Sequence, residues 1–498
     1  MQKFFCLITA LLILISVIAA CGDSNSGSNE TTTAAANVDT TESVDSRPPL
    51  NVPAKDYGGY QFNILTVNTY VTGNNINHGA NYYSDFIYVG ERAGEPINDA
   101  VYDRNLKMME EFGVEIVAAE AADVYGQARK LIQSGDNLYD VITPPIDSSF
   151  QLAQEKFLYN LYNIPYLELS NPWWDQALIK NLSLNNKLYV ITGDISIQDE
   201  EYNWCFGYNK ELLNQTSNAL DLHQLVRDGK WTLDVMYDLG KSVTRDLNGD
   251  GVLDNEDLFA YGNDYSATHG FFSSAGEKIA MLDKDGYPQL TVGGERAITV
   301  IDRLTEIFND TNFMIWASKM SKTVTDNGWL ELRLMFREGR LMLYTLSMYV
   351  VKVLRDMVDD FSLLPAPKFD ERQENYYMST TTVSCLGICI PITNMELERT
   401  GIILEAMSYY SKPIKEAYYD ITLIGKITRD EESRDMLEII FNSVSYDIGD
   451  VFGWGGYKNQ IYTATQKNTG FTALYEANRT RAENEIVKSY DIFLEIDT

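Results

Sequence analysis

The hydrophobic pattern along the chain changes character three times. Cys6 to Ala20 (CLITALLILISVIAA) is an apolar run broken only by Thr9 and Ser16. From Gly22 to Lys55 no apolar face repeats, and Ser, Thr, Asn, Asp and small residues dominate. Beyond that, strand-like and helix-like periods alternate. Tyr60 to Val67 (YQFNILTV) predicts a strand. Asn98 can cap a helix in which Val101, Leu106, Met109 and Phe112 recur at near-helical spacing, and Gly113 ends it. Val114 to Ala118 predicts a second strand, Ala122 to Gln133 a helix closed by Ser134-Gly135, and Tyr139 to Thr143 a third strand. That β-α-β-α-β order implies a parallel sheet with helices on its faces. Ligands of such sheets lie outside the carboxyl ends of the strands, so the loop Pro144 to Ser149 is the first place to look for a site.

A second region, from about Asn209 to Met378, carries helix-like segments at Lys210 to Leu213, Leu233 to Val243, Glu295 to Phe308 and Leu330 to Arg337. Phe336 to Leu346 (FREGRLMLYTL) reads as a helix end, a glycine turn and a buried strand. Its apolar continuation stops at Val351, too short to span a bilayer. Met395 to Asp435 reads as helical again.

The first apolar run falls short of the roughly 20 residues that a membrane crossing needs, and Lys3 precedes it. It ends in Ile18-Ala19-Ala20-Cys21, small residues just before a cysteine, which resembles the bacterial lipobox. Residues 1–20 are therefore expected to be a signal peptide and Cys21 the lipidated first residue of the mature chain; the alternative is an ordinary secretory signal with a chance cysteine. Residues 21–55 cannot bury enough surface to offset their ordering entropy, and as a flexible coil they would hold the body about 30 Å from its anchor.

The chain has 498 residues, 45% of them hydrophobic, enough for a sizeable core in two lobes. Its formal net charge of −31 repels phosphate backbones and anionic lipid, which excludes nucleic acid and peripheral membrane binding as expected partners. Cys385 and Cys389 lie in TTVSCLGICIPI, which reads as a strand. Four residues along a strand span about 13 Å, beyond disulfide reach, so small buried thiols are expected unless Gly387 makes a turn. The three histidines, His78, His223 and His269, lack zinc-motif spacing.

One stretch has metal-loop spacing. In DLNGDGVLDNED, oxygen ligands fall at Asp246, Asn248 and Asp250, Gly251 allows the sharp turn, and the carbonyl of Val252 takes the seventh position. Asp254 binds directly or through water, Asp257 closes the loop, and Leu253 would anchor it to the core. The pattern is that of the calcium loop of EF-hands and dockerins, with a final Asp in place of Glu. A single such loop is expected to hold structural Ca²⁺; the alternative is a pair of Asn-Gly and Asp-Gly turns without metal.

Five stretches in order resemble the lipid-anchored extracellular solute-binding proteins of bacterial ABC importers, in the branch akin to maltose-binding protein. They are GEPINDAVYDRNLKMMEEFGVEI (94–116), YDVITPPIDSSFQLAQEKFLYNL (139–161), YNWCFGYNKELL (202–213), FREGRLMLYTLSMY (336–349) and DFSLLPAPKFDERQENYY (360–377). The resemblance implies an α/β fold of two lobes, a hinge and an interlobe cleft, the periplasmic-binding-protein arrangement. By motif order the amino-terminal lobe is residues 56–200 and 390–450, and the carboxy-terminal lobe 201–389 and 451–498. It further implies a monomer outside the cytoplasmic membrane that captures a solute, a carbohydrate by preference, and delivers it to a permease.

The resemblance nominates five ligand-binding residues. Asp147 falls where the family often has an acidic side chain for sugar hydroxyls, with Ser148 beside it; the alternative for Asp147 is a helix N-cap. Trp204, on the crossover strand, either stacks on a pyranose or packs at the hinge. Tyr344 is either a cleft residue or core. Trp454, flanked by glycines in DVFGWGGY, either approaches a ligand or packs. Trp173 and Trp174 are read as structural, since neighbours on a regular helix cannot both face one ligand. Two other outputs stay open: a ligand-presenting lipoprotein for a membrane sensor, and a cell-surface glycoside-active enzyme. The latter is disfavoured because GxSxG, HExxH and P-loop motifs are lacking.

Overall fold

Strand β1 (Tyr60–Val67) buries Phe62, Ile64 and Leu65 and forms the middle of the first sheet. β2 (Val114–Ala121) and β3 (Val141–Ile142) flank it, both parallel, with Tyr60 opposite Val114 and Ile64 opposite Val141. This is the parallel β-α-β-α-β unit that the periodicity predicts. The first connecting helix, Pro96–Phe112, starts two residues before Asn98 because Pro96 occupies the first turn, where a missing N–H costs nothing. Asn98 instead accepts the Ala93 N–H at 2.9 Å. Gly113 stops the helix at φ 60°, a left-handed cap that returns its N–H to the last turn. The second helix, Val124–Ser134, begins at the Asp123 cap and ends the same way at Gly135, φ 75°. The computed structural model describes residues 46–67, 87–216, 220–320, 328–354, 357–419 and 432–496. The signal segment, Cys21 and the tether up to residue 45 lie outside these.

The second sheet has five strands in the order Phe361–Leu364, β4 (Trp204–Asn209), Leu341–Ser347, β5 (Phe259–Asn263), Met314–Trp316. β5 is parallel to both of its neighbours, whereas β4 runs antiparallel to its own. Helix Gly328–Arg337, the turn at Gly339 (φ 70°) and the wholly buried strand after it match the expected helix, glycine turn and strand. Glu295–Phe308 is a helix at its expected bounds.

Three differences bear on function. The stretch expected as one strand begins as a turn, with the Ser384 and Cys385 N–H groups bonded to the Thr381 carbonyl; only from Leu386 is it extended and bridged, to Pro145, Ile142 and Ile191, and both thiols are buried and free. The segment from Met395 divides into helices Leu397–Tyr409, Lys412–Glu416 and Glu432–Asn442. The last of these packs on strand Phe361–Leu364, so the chain has rejoined the second sheet before residue 450, earlier than the expected lobe boundary. The final helix, Phe471–Glu495, touches both Ile146–Gln154 beside the first sheet and Glu295–Phe308 beside the second, so it is not confined to one lobe. Among the described residues no helix is long and apolar enough to cross a membrane.

Helix Leu397–Tyr409 lies so close to the Ile164-Pro165 turn that a Cβ on Gly401 would overlap the Pro165 carbonyl oxygen. Gly401→Ala is expected to destabilise the protein by about 1–3 kcal/mol, despite alanine's better helix propensity. A urea unfolding midpoint unchanged from the parent would refute that tight contact.

Candidate functional site

The carboxyl ends of the strands of both sheets carry polar side chains, and several of these converge. After β3 the chain turns through Pro144-Pro145 into helix Ile146–Gln154, with Asp147 in its first turn. Asp147 is not the N-cap. Its Oδ1 accepts the Ser148 N–H at 2.7 Å and lies 3.3 Å from the Ser148 hydroxyl, while Pro145 holds the cap position. After β5 the chain turns through Asp264, which caps helix Tyr265–Ser274 by accepting the Ala267 N–H at 2.8 Å. That helix carries Tyr265 and His269. A third contribution comes from helix Ile448–Phe452, which packs on the Asp147 helix, and from Lys458 on the helix after it.

Asp450 is the centre of this group. Lys458 donates to its Oδ2 at 2.9 Å, and His269 Nδ1 stands 3.9 Å from the same oxygen. Burial opposes ionisation of Asp450, but the neighbouring His269 and Lys458 outweigh it and hold the carboxyl below its usual range. Lys458 is pushed down by burial and pulled further up by Asp450, so its ammonium persists. Asp147 is shifted the other way: burial raises its pKa, the Ser148 hydrogen bonds partly offset this, and Asp450 adds to the rise. Asp447 is committed to structure, capping Ile448–Phe452 and accepting the Ile279 N–H at 2.6 Å. His269 is 4% exposed, and its Nε2, 3.9 Å from Asp447, has no hydrogen-bond partner. A buried ring nitrogen without a partner beside an ammonium, two carboxylates and the Tyr265 phenol can serve a solute that both donates and accepts hydrogen bonds.

Of the five nominated ligand residues, the structure brings Asp147 and Ser148 into this group. Trp204 stands half-buried at the start of β4, opposite Ser347. Tyr344 and Trp454 are packing residues. Tyr344 is 6% exposed against Phe336, with ring centroids 5.5 Å apart. Trp454 stacks on Phe452 at 4.7 Å and donates Nε1–H to Ser489 Oγ at 3.1 Å. Its neighbouring glycines supply left-handed turns, not ligand access. Sequence reasoning missed Tyr265, His269, Asp450 and Lys458. Their only signal was position: Tyr265 and His269 follow a predictable strand end, whereas Asp450 and Lys458 arrive from a distant segment.

In the DLNGDGVLDNED loop the carboxylates accept backbone N–H groups of the loop itself. Asp246 takes Gly249 and Gly251 (2.6 and 2.9 Å), and Asp257 takes Leu247 and Asp254 (2.8 and 2.9 Å). Leu253, expected to anchor the loop, is 38% exposed. Among the described residues no group of three or more His, Cys, Asp or Glu side chains is gathered closely enough to hold a metal ion.

No protein-family model matches the sequence, and no curated protein matches it. Solved structures do match in fold. The maltose/maltodextrin-binding domain MalE from Bdellovibrio bacteriovorus, bound to maltotriose, is 13% identical at a TM-score of 0.51, over 86% of this chain and 100% of that one. A cyclo/maltodextrin-binding protein complexed with maltotetraose is 12% identical at 0.52, over 88% and 98%. UgpB from Mycobacterium tuberculosis, in complex with glycerophosphocholine, is 15% identical at 0.53, over 79% and 96%. The chain therefore has the two-lobed α/β fold of the maltose-binding type of solute-binding protein.

The Asp450–Lys458 pair makes a pH test available. A carboxylate held below its usual range contributes stability above its unfolded pKa and loses it as pH falls through the folded value. The pair is partly exposed, with 13% and 26% of the two side chains accessible, so Lys458→Met is expected to cost about 1–3 kcal/mol at pH 7. The gap to the parent should narrow as pH falls below the ordinary carboxylate range. Urea midpoints at pH 7 and under acid conditions measure it; a gap that widens on acidification would overturn this account of Asp450.

Proposed function

We propose that the protein is an extracellular solute-binding lipoprotein, not an enzyme, that captures a hydroxyl-bearing solute in the cleft between its lobes and delivers it to an ABC importer. The observation that carries this reading is the group of Asp147, Tyr265, His269, Asp450 and Lys458, which meets at the carboxyl ends of the strands of both sheets. Open α/β sheets bind ligands there, and two-lobed proteins of this fold close on a solute by hinge motion. The fold-matched structures carry maltotriose, maltotetraose and glycerophosphocholine. A carbohydrate is the solute this group suits best, since vicinal hydroxyls can donate to a carboxylate and accept from an ammonium. Cys21 is the proposed lipid site, placing a monomeric protein on the outer face of the cytoplasmic membrane through the tether of residues 21–55.

Thermal melting of the mature chain against maltotriose, maltotetraose, monosaccharides, polyols and glycerophosphocholine tests the reading. A solute at 100 times its Kd stabilises by about 2.7 kcal/mol, a readable shift. Asp147→Asn should weaken the responding solute by about 10- to 100-fold, the worth of a hydrogen bond to a charged group. No shift across the panel would sink the carbohydrate assignment, and a shift untouched by Asp147→Asn would move the solute elsewhere.

Structural calcium at Asp246, Asn248, Asp250, Val252, Asp254 and Asp257 is proposed on the loop spacing. Millimolar calcium is expected to raise the melting temperature and a chelator to reverse it. Magnesium at the same concentration should not match the effect, and Asp246→Ala should abolish it. A melting temperature indifferent to calcium would leave the loop a pair of turns.

A further inference from the structure

A cavity of about 760 Å³ lies apart from the Asp147 group and shares no lining residue with it. One wall is the Trp173 to Ala177 turn, a second is Gly193 to Asn203 at the crossover, and a third is the end of helix Lys412–Glu416 with Tyr418 and Tyr419. The fourth wall, helix Glu432–Asn442, belongs to the second sheet. The lining is rich in carboxyl groups, Asp175, Asp194, Asp199, Glu200, Glu416 and Glu438, and its cations are Lys415 and Arg434; burial raises the pKa of Asp175 and, further, of Asp199. Lys415 is already committed, 3.0 Å from Asp194 and 2.7 Å from Glu200 Oε1.

Two buried atoms in this wall lack a hydrogen bond. Glu200 is 7% exposed and Asn203 1%, and neither Glu200 Oε2 nor Asn203 Oδ1 has a partner. Burial works against ionisation of Glu200, but Lys415 and a side-chain hydrogen bond with Asp199 override it and hold its pKa below the usual range. A buried acceptor atom without a donor is costly, Asn203 Oδ1 above all at 1% exposure, and both of these atoms are acceptors, so a ligand that fills the space is one that donates. The half-exposed rings of Tyr419 and Phe441, with centroids 5.9 Å apart, add apolar faces; the Arg434 guanidinium already lies 6.0 Å from the Tyr419 ring, as a cation does over an aromatic face. The volume is that of an organic ligand rather than a bare ion.

We propose that this cavity is a second binding site, separate from the solute group, for an organic cation bearing primary amines. Its ammonium groups would donate to Glu200 Oε2 and Asn203 Oδ1, and its methylenes would lie against Tyr419 and Phe441.

Calorimetric titration of the mature chain tests this, with spermidine as the probe and triethylene glycol as a neutral molecule of similar length. Spermidine is expected to bind at a single site and triethylene glycol not at all. Glu200→Gln should weaken spermidine by at least about tenfold, the worth of one charge-assisted hydrogen bond, while Asp147→Asn should leave it unchanged. If Glu200→Gln fails to fold, Glu438→Gln on the exposed rim takes its place, with an expected loss of about threefold, typical of an exposed ion pair. The proposal is overturned by no heat with spermidine, by equal binding of the neutral analogue, or by loss of binding in Asp147→Asn. Weak multisite binding unmoved by Glu200→Gln or Glu438→Gln overturns it too, because that is the signature of a diffuse acidic surface.

Discussion

The return of the chain through Thr380 to Pro391 is the constraint on which the other features rest. The first sheet has three strands, and β3 contributes only two residues to it. The returning segment completes it: Ile142 and Cys389 exchange both backbone hydrogen bonds (3.0 and 2.9 Å), and Ile191 and Ile388 do the same on the other side (3.1 and 2.7 Å). The same segment seats the start of the Asp147 helix, because Ile146 N–H bonds to Cys385 O at 3.0 Å and Gly387 N–H to Pro144 O at 3.0 Å. Gly387 is needed for this approach, since a Cβ there would overlap the Val190 side chain. At its amino end Thr380 bridges Asn203, the residue before β4, so the crossover into the second sheet is tied to the return from it. One returning segment, a turn at Thr381 to Cys385 followed by an extended run, thus ties together the start of the Asp147 helix and the crossover that walls the acidic cavity.

Buried polar groups do the rest of the positioning. Glu405 accepts Trp174 Nε1–H at 2.9 Å, Asn171 Nδ2–H at 2.6 Å and the Glu168 N–H at 3.2 Å, which fixes the turn that forms one wall of the acidic cavity. Burial raises its pKa against those donors. Arg104 is 2% exposed and spends its guanidinium on Ile87 O at 2.6 Å and Ile195 O at 3.0 Å, with its pKa pushed down to about 9 by burial. Each group satisfies carbonyls or N–H groups of irregular backbone, where no strand or helix partner is available. Irregular segments can then be as well fixed as the sheets, which a cleft between two lobes requires of its walls.

Local periodicity was enough for the elements that satisfy themselves locally. β1, helix Glu295–Phe308 and the glycine stops at Gly113 and Gly135 were legible because alternation, helical spacing and left-handed caps are properties of a few neighbouring residues. The position of Asp147 was legible because it follows the carboxyl end of a predictable strand. Trp454 was misleading: its glycine neighbours open space in sequence, but the final helix returns to fill it with Ser489. Trp173 and Trp174 were judged as if on a helix, yet they lie in a turn, and both line the acidic cavity. The acidic run Asp199-Glu200-Glu201 carries no local sign of burial, yet it is buried, with burial and the adjacent Glu200 pushing Asp199 well above the usual carboxylate range. Whether a carboxylate is buried depends on partners such as Lys415, two hundred residues away in sequence, and no local pattern encodes that.

The final helix limits how the two lobes can move. Phe493 packs near Phe150 and against Tyr189, with centroids 6.5 and 5.2 Å apart, and Lys187 Nζ donates to the Phe493 carbonyl at 2.7 Å and also to that of Ile496. These contacts hold its carboxyl end to the elements around the first sheet. Its amino-terminal part packs with Glu295–Phe308 and with the Tyr457–Lys467 helix that bears Lys458. A single 25-residue helix therefore joins the Asp147 side of the solute group to the Lys458 side. Rotation of one lobe against the other has to preserve packing at both ends of that rod, which favours a pivot near the crossover strands over a wide opening at the helix. The polar group at the strand ends is thereby tied on its Asp147 side and on its Lys458 side to one helix, whose apolar contacts run from Phe493 to the helices beside the second sheet.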